Sequence, residues 1–113
     1  MLSKFNNALF VELKLGRMDK QKVIRCLKSK GFDLRENVVV EGESGVKHSF
    51  DFEVANKHRR ALVDVLLEVD ELKLFEFCVK LYDVNREGII VAEEVKEEVI
   101  KLAKEAGIEI IIP

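Results

Sequence analysis

Hydrophobic and polar positions alternate clearly in the middle of the chain. Phe50, Phe52 and Val54 interleave with Asp51 and Glu53, which predicts a strand from His48 to Ala55 with its apolar side chains on one face and its acids on the other. Ala61 to Leu67 is apolar on both sides of the same two-residue period except at Asp64, so it is expected at the centre of a sheet. Asn56-Lys57-His58-Arg59-Arg60 between them is polar and reads as a hairpin connection. Upstream, Val38-Val39-Val40 predicts a short strand and Gly42-Glu43-Ser44-Gly45 the turn that follows it.

The helical period takes over elsewhere. Asp19 is placed to cap a helix running to Lys30, with Val23, Ile24 and Leu27 on one face and Gly31 in the position that ends a helix. Asp70 to Asp83 predicts a second helix. Its stripe of Leu72, Phe75, Val79 and Tyr82 is widened almost all round by Leu74, Phe77, Cys78 and Leu81. A helix apolar on most sides is buried or meets a partner subunit. Asn85 to Gly88 reads as a loop and Ile89-Ile90-Val91 as a short buried strand. Ala92 to Ala106 then reads as an amphipathic helix burying Val95, Val99, Leu102, Ala103 and Ala106, stopped by Gly107 before a last strand over Ile108 to Ile112. Asn7 to Leu15 fits a short helix or an extended arm. The expected organisation is therefore an N-terminal arm or short helix over 1–17 and one domain over 18–113. That domain is α/β, a mixed sheet flanked by helices in the order αβββαβαβ, with parallel crossovers in its second half.

The 113 residues suffice for one core and not for two. With 48% hydrophobic and 35% charged residues the composition is globular, and no apolar stretch approaches the roughly 20 residues that span a bilayer. No signal-peptide pattern opens the chain, and Cys26 and Cys78 fall in helical segments as reduced core thiols. The expectation is a cytoplasmic protein with no membrane partner. The net charge of −2 conceals an asymmetry: residues 1–60 hold 13 basic against 8 acidic side chains, and residues 61–113 hold 6 against 13. A nucleic acid would touch the first half, through Lys22 and Arg25 on the first helix and Lys57, Arg59 and Arg60 at the hairpin; two ordinary solvated surfaces are the alternative. Aromatic side chains do not interleave with these cations, so such binding would be independent of base sequence.

Asp64 is the residue whose chemistry needs explaining, since an unpaired carboxylate in an apolar run costs several kcal/mol. It is paired with Lys or Arg, caps a backbone N–H, or holds a metal. The element order, the Gly31-Phe32 helix end and the Gly42-Glu43-Ser44-Gly45-Val46-x-His48-x-Phe50-Asp51 stretch together resemble the restriction-endonuclease-like superfamily, in particular its archaeal members. The Val79-Lys80-Leu81-Tyr82-Asp83 and Ile89-Ile90-Val91-Ala92 pieces are also similar. The superfamily carries the PD-(D/E)XK motif and includes Holliday-junction resolvases.

That resemblance implies a metal-dependent endonuclease site. Two carboxylates and the scissile phosphate hold one or two Mg²⁺ ions, and a lysine two residues after the second acid orients the attacking water. Asp51 matches the first acid and Asp64 the second, both as metal ligands, while the lysine position falls on Leu66. In some relatives the lysine migrates, and Lys73 on the following helix is the nearest candidate; Glu41, Glu53, Glu12 or Asp19 could supply a further acid. A leucine can neither orient water nor stabilise developing charge. The resemblance therefore implies a nuclease-fold domain with lost or weak hydrolysis that retains nucleic-acid binding, DNA ahead of RNA. The alternative is an inactive assembly module that forms a homodimer through helix 70–83.

Overall fold

The computed structural model describes residues 18–113, so the expected arm or helix over 1–17, with Glu12 in it, lies outside the described residues. Helix α1 (Lys20–Ser29) begins where the Asp19 carboxylate accepts the Gln21 N–H at 3.0 Å, and Gly31 follows it at φ 87°. Strands β1 (Asp33–Glu41), β2 (Lys47–Ala55) and β3 (Arg60–Val69) form an antiparallel meander. Helix α2 (Glu71–Val84), capped by Asp70, leads to β4 (Gly88–Val95). Helix α3 (Glu97–Glu105) leads to β5 (Glu109–Ile111), and β4 and β5 add in parallel. The sheet order is β1-β2-β3-β4-β5 and the element order αβββαβαβ, an α/β fold with a mixed five-stranded sheet. No described helix is long and apolar enough to cross a membrane.

Both faces of β3 and β4 are covered, which explains their unbroken apolar runs. Val23 and Leu27 of α1 pack on Phe52, Val54, Ala61, Val63, Ile89 and Val91. Leu74, Phe77 and Leu81 of α2, with Val99 and Ala103 of α3, pack on Leu62, Ile90 and Ala92 from the other side. Each such fully buried Leu or Ile contributes roughly 1.5–3 kcal/mol relative to exposure. At Gly88 an added Cβ would stand 2.3 Å from Leu81 Cδ1 and 2.7 Å from Phe77 Cε2, so only glycine lets α2 settle there.

The structure departs from the sequence expectations at three places. β1 extends well beyond Val38–Val40, because Asp33 to Glu36 pair with Ala55 to Phe52. Ala92 to Val95 is strand rather than helix: Ala92 pairs with Leu66 and Val95 with Val69, and the parallel ladder satisfies backbone groups that Ala and Glu would otherwise place in a helix. α3 is correspondingly shorter, and Leu102 and Ala106 lie on its exposed side. Third, Phe50 does not share a face with Phe52 and Val54. It joins the α2 side of the core with Val38, while Phe52, Val54 and Leu34 join the α1 side. The change of face occurs at one level of the β1–β2 ladder, where Asn37 and Asp51 stand opposite each other without pairing. Asn37 takes φ 52°, a left-handed conformation that asparagine tolerates better than most residues.

Beyond this kink the β1–β2 hairpin curls over α2. Its tip is held there by Asp83, in the last turn of the helix. The Asp83 carboxylate accepts the Ser44 N–H (2.9 Å) and hydroxyl (2.6 Å) and meets His48 Nε2 (2.7 Å), while its backbone carbonyl accepts the Glu43 N–H (2.9 Å). These bonds hold the Asp83 carboxyl down at about 2, well below the ordinary aspartate value, Ser44 contributing most and His48 next. His48 is thus a structural clamp. Gly42 is needed because a Cβ there would stand 2.0 Å from Asp83 Oδ2.

Candidate functional site

The same kink opens a fork in the sheet. β2 pairs with β3 only as far as Phe52 opposite Val63, after which the strands part. The next residues outward are Asp51 and Asp64. The Asp64 carboxylate accepts the Asp51 N–H at 3.2 Å through Oδ1, and the Asp51 carboxylate accepts the Val65 N–H at 2.8 Å through Oδ2. Two side chains take over where ladder hydrogen bonds stop, and each reaches the backbone of the strand that carries the other acid. The two predicted ligands are therefore brought together.

Their environments differ. Asp64 projects to the α2 side, where Lys80 Nζ lies 2.8 Å from its Oδ2. That ammonium also donates to the Ser49 carbonyl at 2.8 Å and sits 4.4 Å from the centre of the Phe50 ring. Both structural alternatives for Asp64, pairing with a lysine and capping a backbone N–H, are realised at once. Asp51 opens on the α1 side into a cleft of about 330 Å³ shared with Met18, Glu36, Asn37, Val65 and Leu67. Lys20 and Glu36 pair at 2.5 Å on its wall. Partial burial pushes the Asp51 carboxyl up, and the Asp64 charge adds to this. The Val65 N–H and Lys80 act in the opposite direction.

The remaining predicted residues are scattered. Leu66, at the position of the motif lysine, packs against the α2-side core. Lys73 sits in the first turn of α2, its Nζ 3.4 Å from the Glu68 carbonyl, and makes no bond to either aspartate. Lys80, almost two turns further along the same helix, is the lysine that reaches the fork. The sequence does not single it out, since Lys73 stands seven residues earlier on the same side of the helix, and only the packing decides which lysine reaches the fork. Lys22, Arg25 and Lys57 are exposed. Arg59 is engaged by Glu87 at 3.0 Å and Glu109 at 2.5 Å, so it braces β3 against β4 and β5. Arg60 is exposed, with Nε 3.9 Å from Glu53. Of the further acids considered, Asp19 caps α1, Glu41 is exposed at the end of β1, and Glu53 is buried among arginines.

Mg²⁺ requires near-octahedral oxygen ligation. Three of the four carboxylate oxygens of Asp51 and Asp64 are engaged, one by an ammonium standing where a cation would be held. Among the described residues no three His, Cys, Asp or Glu side chains gather as a metal-holding group. The donors as arranged do not fit a firmly held Mg²⁺.

No family model matches this chain, and no curated protein matches it. A solved crystal structure described as a protein of unknown function, AF1548, is similar with a TM-score of 0.69 and 21% identity over 79% of this chain. The chain spans about half of that protein, 53% of its length, and the likeness at this identity is one of fold.

Proposed function

We propose that this chain is a nuclease-fold domain of the restriction-endonuclease-like type, in which hydrolysis is lost or weak and sequence-independent nucleic-acid binding remains, DNA ahead of RNA. The observation that carries the reading is the meeting of Asp51 and Asp64 at the fork between β2 and β3. Two acids converging from adjacent strands, one beside an open cleft and with its carboxyl pushed up, form an arrangement that a fold alone does not require. Leu66 at the motif position supports loss of hydrolysis. Lys22, Arg25, Lys57 and Arg60 are the exposed cations available to phosphates. The cytoplasm is the compartment in which such a domain would meet DNA.

Two assays on the full chain test this. The first titrates Mg²⁺ and Mn²⁺ calorimetrically into the wild type and the Asp51→Ala, Asp64→Ala double variant; weak or absent binding is expected from the wild type. The second follows branched and nicked DNA by fluorescence anisotropy and by cleavage. Binding that weakens steeply with salt, without cutting, is the expected result. Absence of DNA binding even at low salt would sink the reading, and metal-dependent cutting would restore an active nuclease.

A second reading is favoured by one observation. Leu72, Phe75, Val79 and Tyr82 are 65%, 64%, 49% and 89% exposed, one apolar stripe along α2. A module that assembles as a homodimer would cover it. Sedimentation of the wild type against Phe75→Glu separates the readings: a dimer that the variant reduces to monomer supports assembly, and a monomeric wild type removes it.

A further inference from the structure

Glu53 is the one buried charged residue among the described residues, 8% exposed on the face of the sheet toward α2. Arg35, directly opposite it on β1, donates from Nε at 3.1 Å and also from Nη2 to Oε1, and Arg86, in the loop after α2, donates from Nη2 to Oε2. Both carboxylate oxygens are thus satisfied, and these bonds hold the Glu53 carboxyl below its ordinary value, Arg86 contributing most. Arg60 is surplus to that need. It approaches from β3 with Nε 3.9 Å from Oε2, and its side chain is 69% exposed, as Arg35's is 73% exposed.

We propose that Arg35, Arg60 and Arg86, gathered around the Glu53 carboxylate, form a binding site for a phosphoryl group. One carboxylate balances one arginine. Three guanidiniums around it leave two positive charges that repel each other across a strand unless an anion joins them. A phosphate group carries about −1.5 to −2 charges at neutral pH and offers the planar, forked contacts that guanidinium groups match. Each guanidinium has five N–H donors, of which Glu53 takes two from Arg35 and one from Arg86. Glu53 therefore holds the cluster in place and leaves outward donors free, so ordering these side chains costs little on binding. Arg59 provides the contrast within the same molecule: two carboxylates embrace one arginine, and no positive charge is left over. The proposal stands apart from the fork and does not depend on whether the fork ever hydrolysed a phosphodiester.

The test titrates pyrophosphate and inorganic phosphate into the chain at low ionic strength by calorimetry, with the wild type, Arg60→Ala, Arg35→Ala and, as the charge-matched control, Lys101→Ala at an exposed position of α3. Arg60 and Arg35 are largely exposed, and circular dichroism confirms that their variants fold. Saturable binding that falls roughly tenfold in Arg60→Ala and in Arg35→Ala, and is unchanged in Lys101→Ala, is expected. Absence of saturable binding to the wild type, or an equal loss in Lys101→Ala, overturns the site and leaves only diffuse charge. Once binding is established, displacement of pyrophosphate by a short single-stranded oligonucleotide assigns the phosphodiester backbone as the source, and lack of displacement assigns a free phosphate group.

Discussion

Asp64 accepts the backbone N–H of Asp51 at 3.2 Å, one level beyond the last β2–β3 ladder pair, Phe52 opposite Val63. The fork that separates them also separates the two core clusters along β2, since Phe50 packs on the α2 side and Phe52 on the α1 side. A kink that places an acid pair and redirects a hairpin is one structural event with two consequences.

Asp51 is a carboxyl that the fold disfavours in its charged form. Its folded pKa lies above the unfolded value through partial burial, then through Asp64. A raised carboxyl pKa means that the ionised group weighs against folding once the pH exceeds that value. Asp51→Asn retains an oxygen for the Val65 N–H, so its urea midpoint is expected to equal or exceed that of the wild type at pH 7, with no gain near pH 3. A lower midpoint at pH 7 would show that the charge at Asp51 is structural.

Lys80 and Asp64 should behave as one unit. Their side chains are 27% and 17% exposed, so removing one partner strands the other in a partly dry site. Lys80→Met is expected to cost about 1–3 kcal/mol and Asp64→Asn less, because the amide oxygen still accepts the Asp51 N–H. The double variant should fall short of the sum, with a coupling of about 0.5–3 kcal/mol in a double-mutant cycle. Strict additivity would mean that the contact contributes nothing.

Acid should release the hairpin. The Asp83 carboxyl is held at about 2, below its unfolded value, so the stability it lends is present above the unfolded pKa and is lost as the pH falls from about 4 toward 2. The wild-type urea midpoint should fall across that window, and Asp83→Asn should start lower and fall less. Equal slopes in the two proteins would assign the acid sensitivity to other groups, Glu53 among them.

Gly88→Ala measures how tightly α2 sits on β4. Its Cβ would stand 2.3 Å from Leu81 Cδ1, and overpacking of this kind costs about 1–3 kcal/mol. Thermal unfolding of the variant against Leu81→Ala, Gly88→Ala checks the cause: trimming Leu81 makes room, so the added methyl should cost less in that background than in the wild type.

Several elements were legible from the chain alone because their causes are local. Asp19 caps α1 two residues away, Gly31 ends it, and the two-residue period of β2 and β3 follows from which side chains touch which layer. The apolar run around Asp64 marked the central strand correctly, since parallel neighbours and helices on both faces demand it. The resemblance implied that Asp51 and Asp64 converge, and the structure brings these two residues together at the fork.

Other features were decided only when the chain closed on itself. Ala92 to Val95 has helix-forming residues, yet it is strand because β3 offers it a ladder. Helix α2 has two apolar faces, and its sequence does not say that Leu74, Phe77 and Leu81 turn inward while Leu72, Phe75, Val79 and Tyr82 remain exposed. The face change at Asn37 and Asp51, the reach of Lys80 rather than Lys73, and the arginines around Glu53 join residues 7 to 33 positions apart. Periodicity and caps report interactions within one turn or one pleat. Contacts across such separations depend on where strands part and how a helix rotates on the sheet, and those are properties of the packed whole.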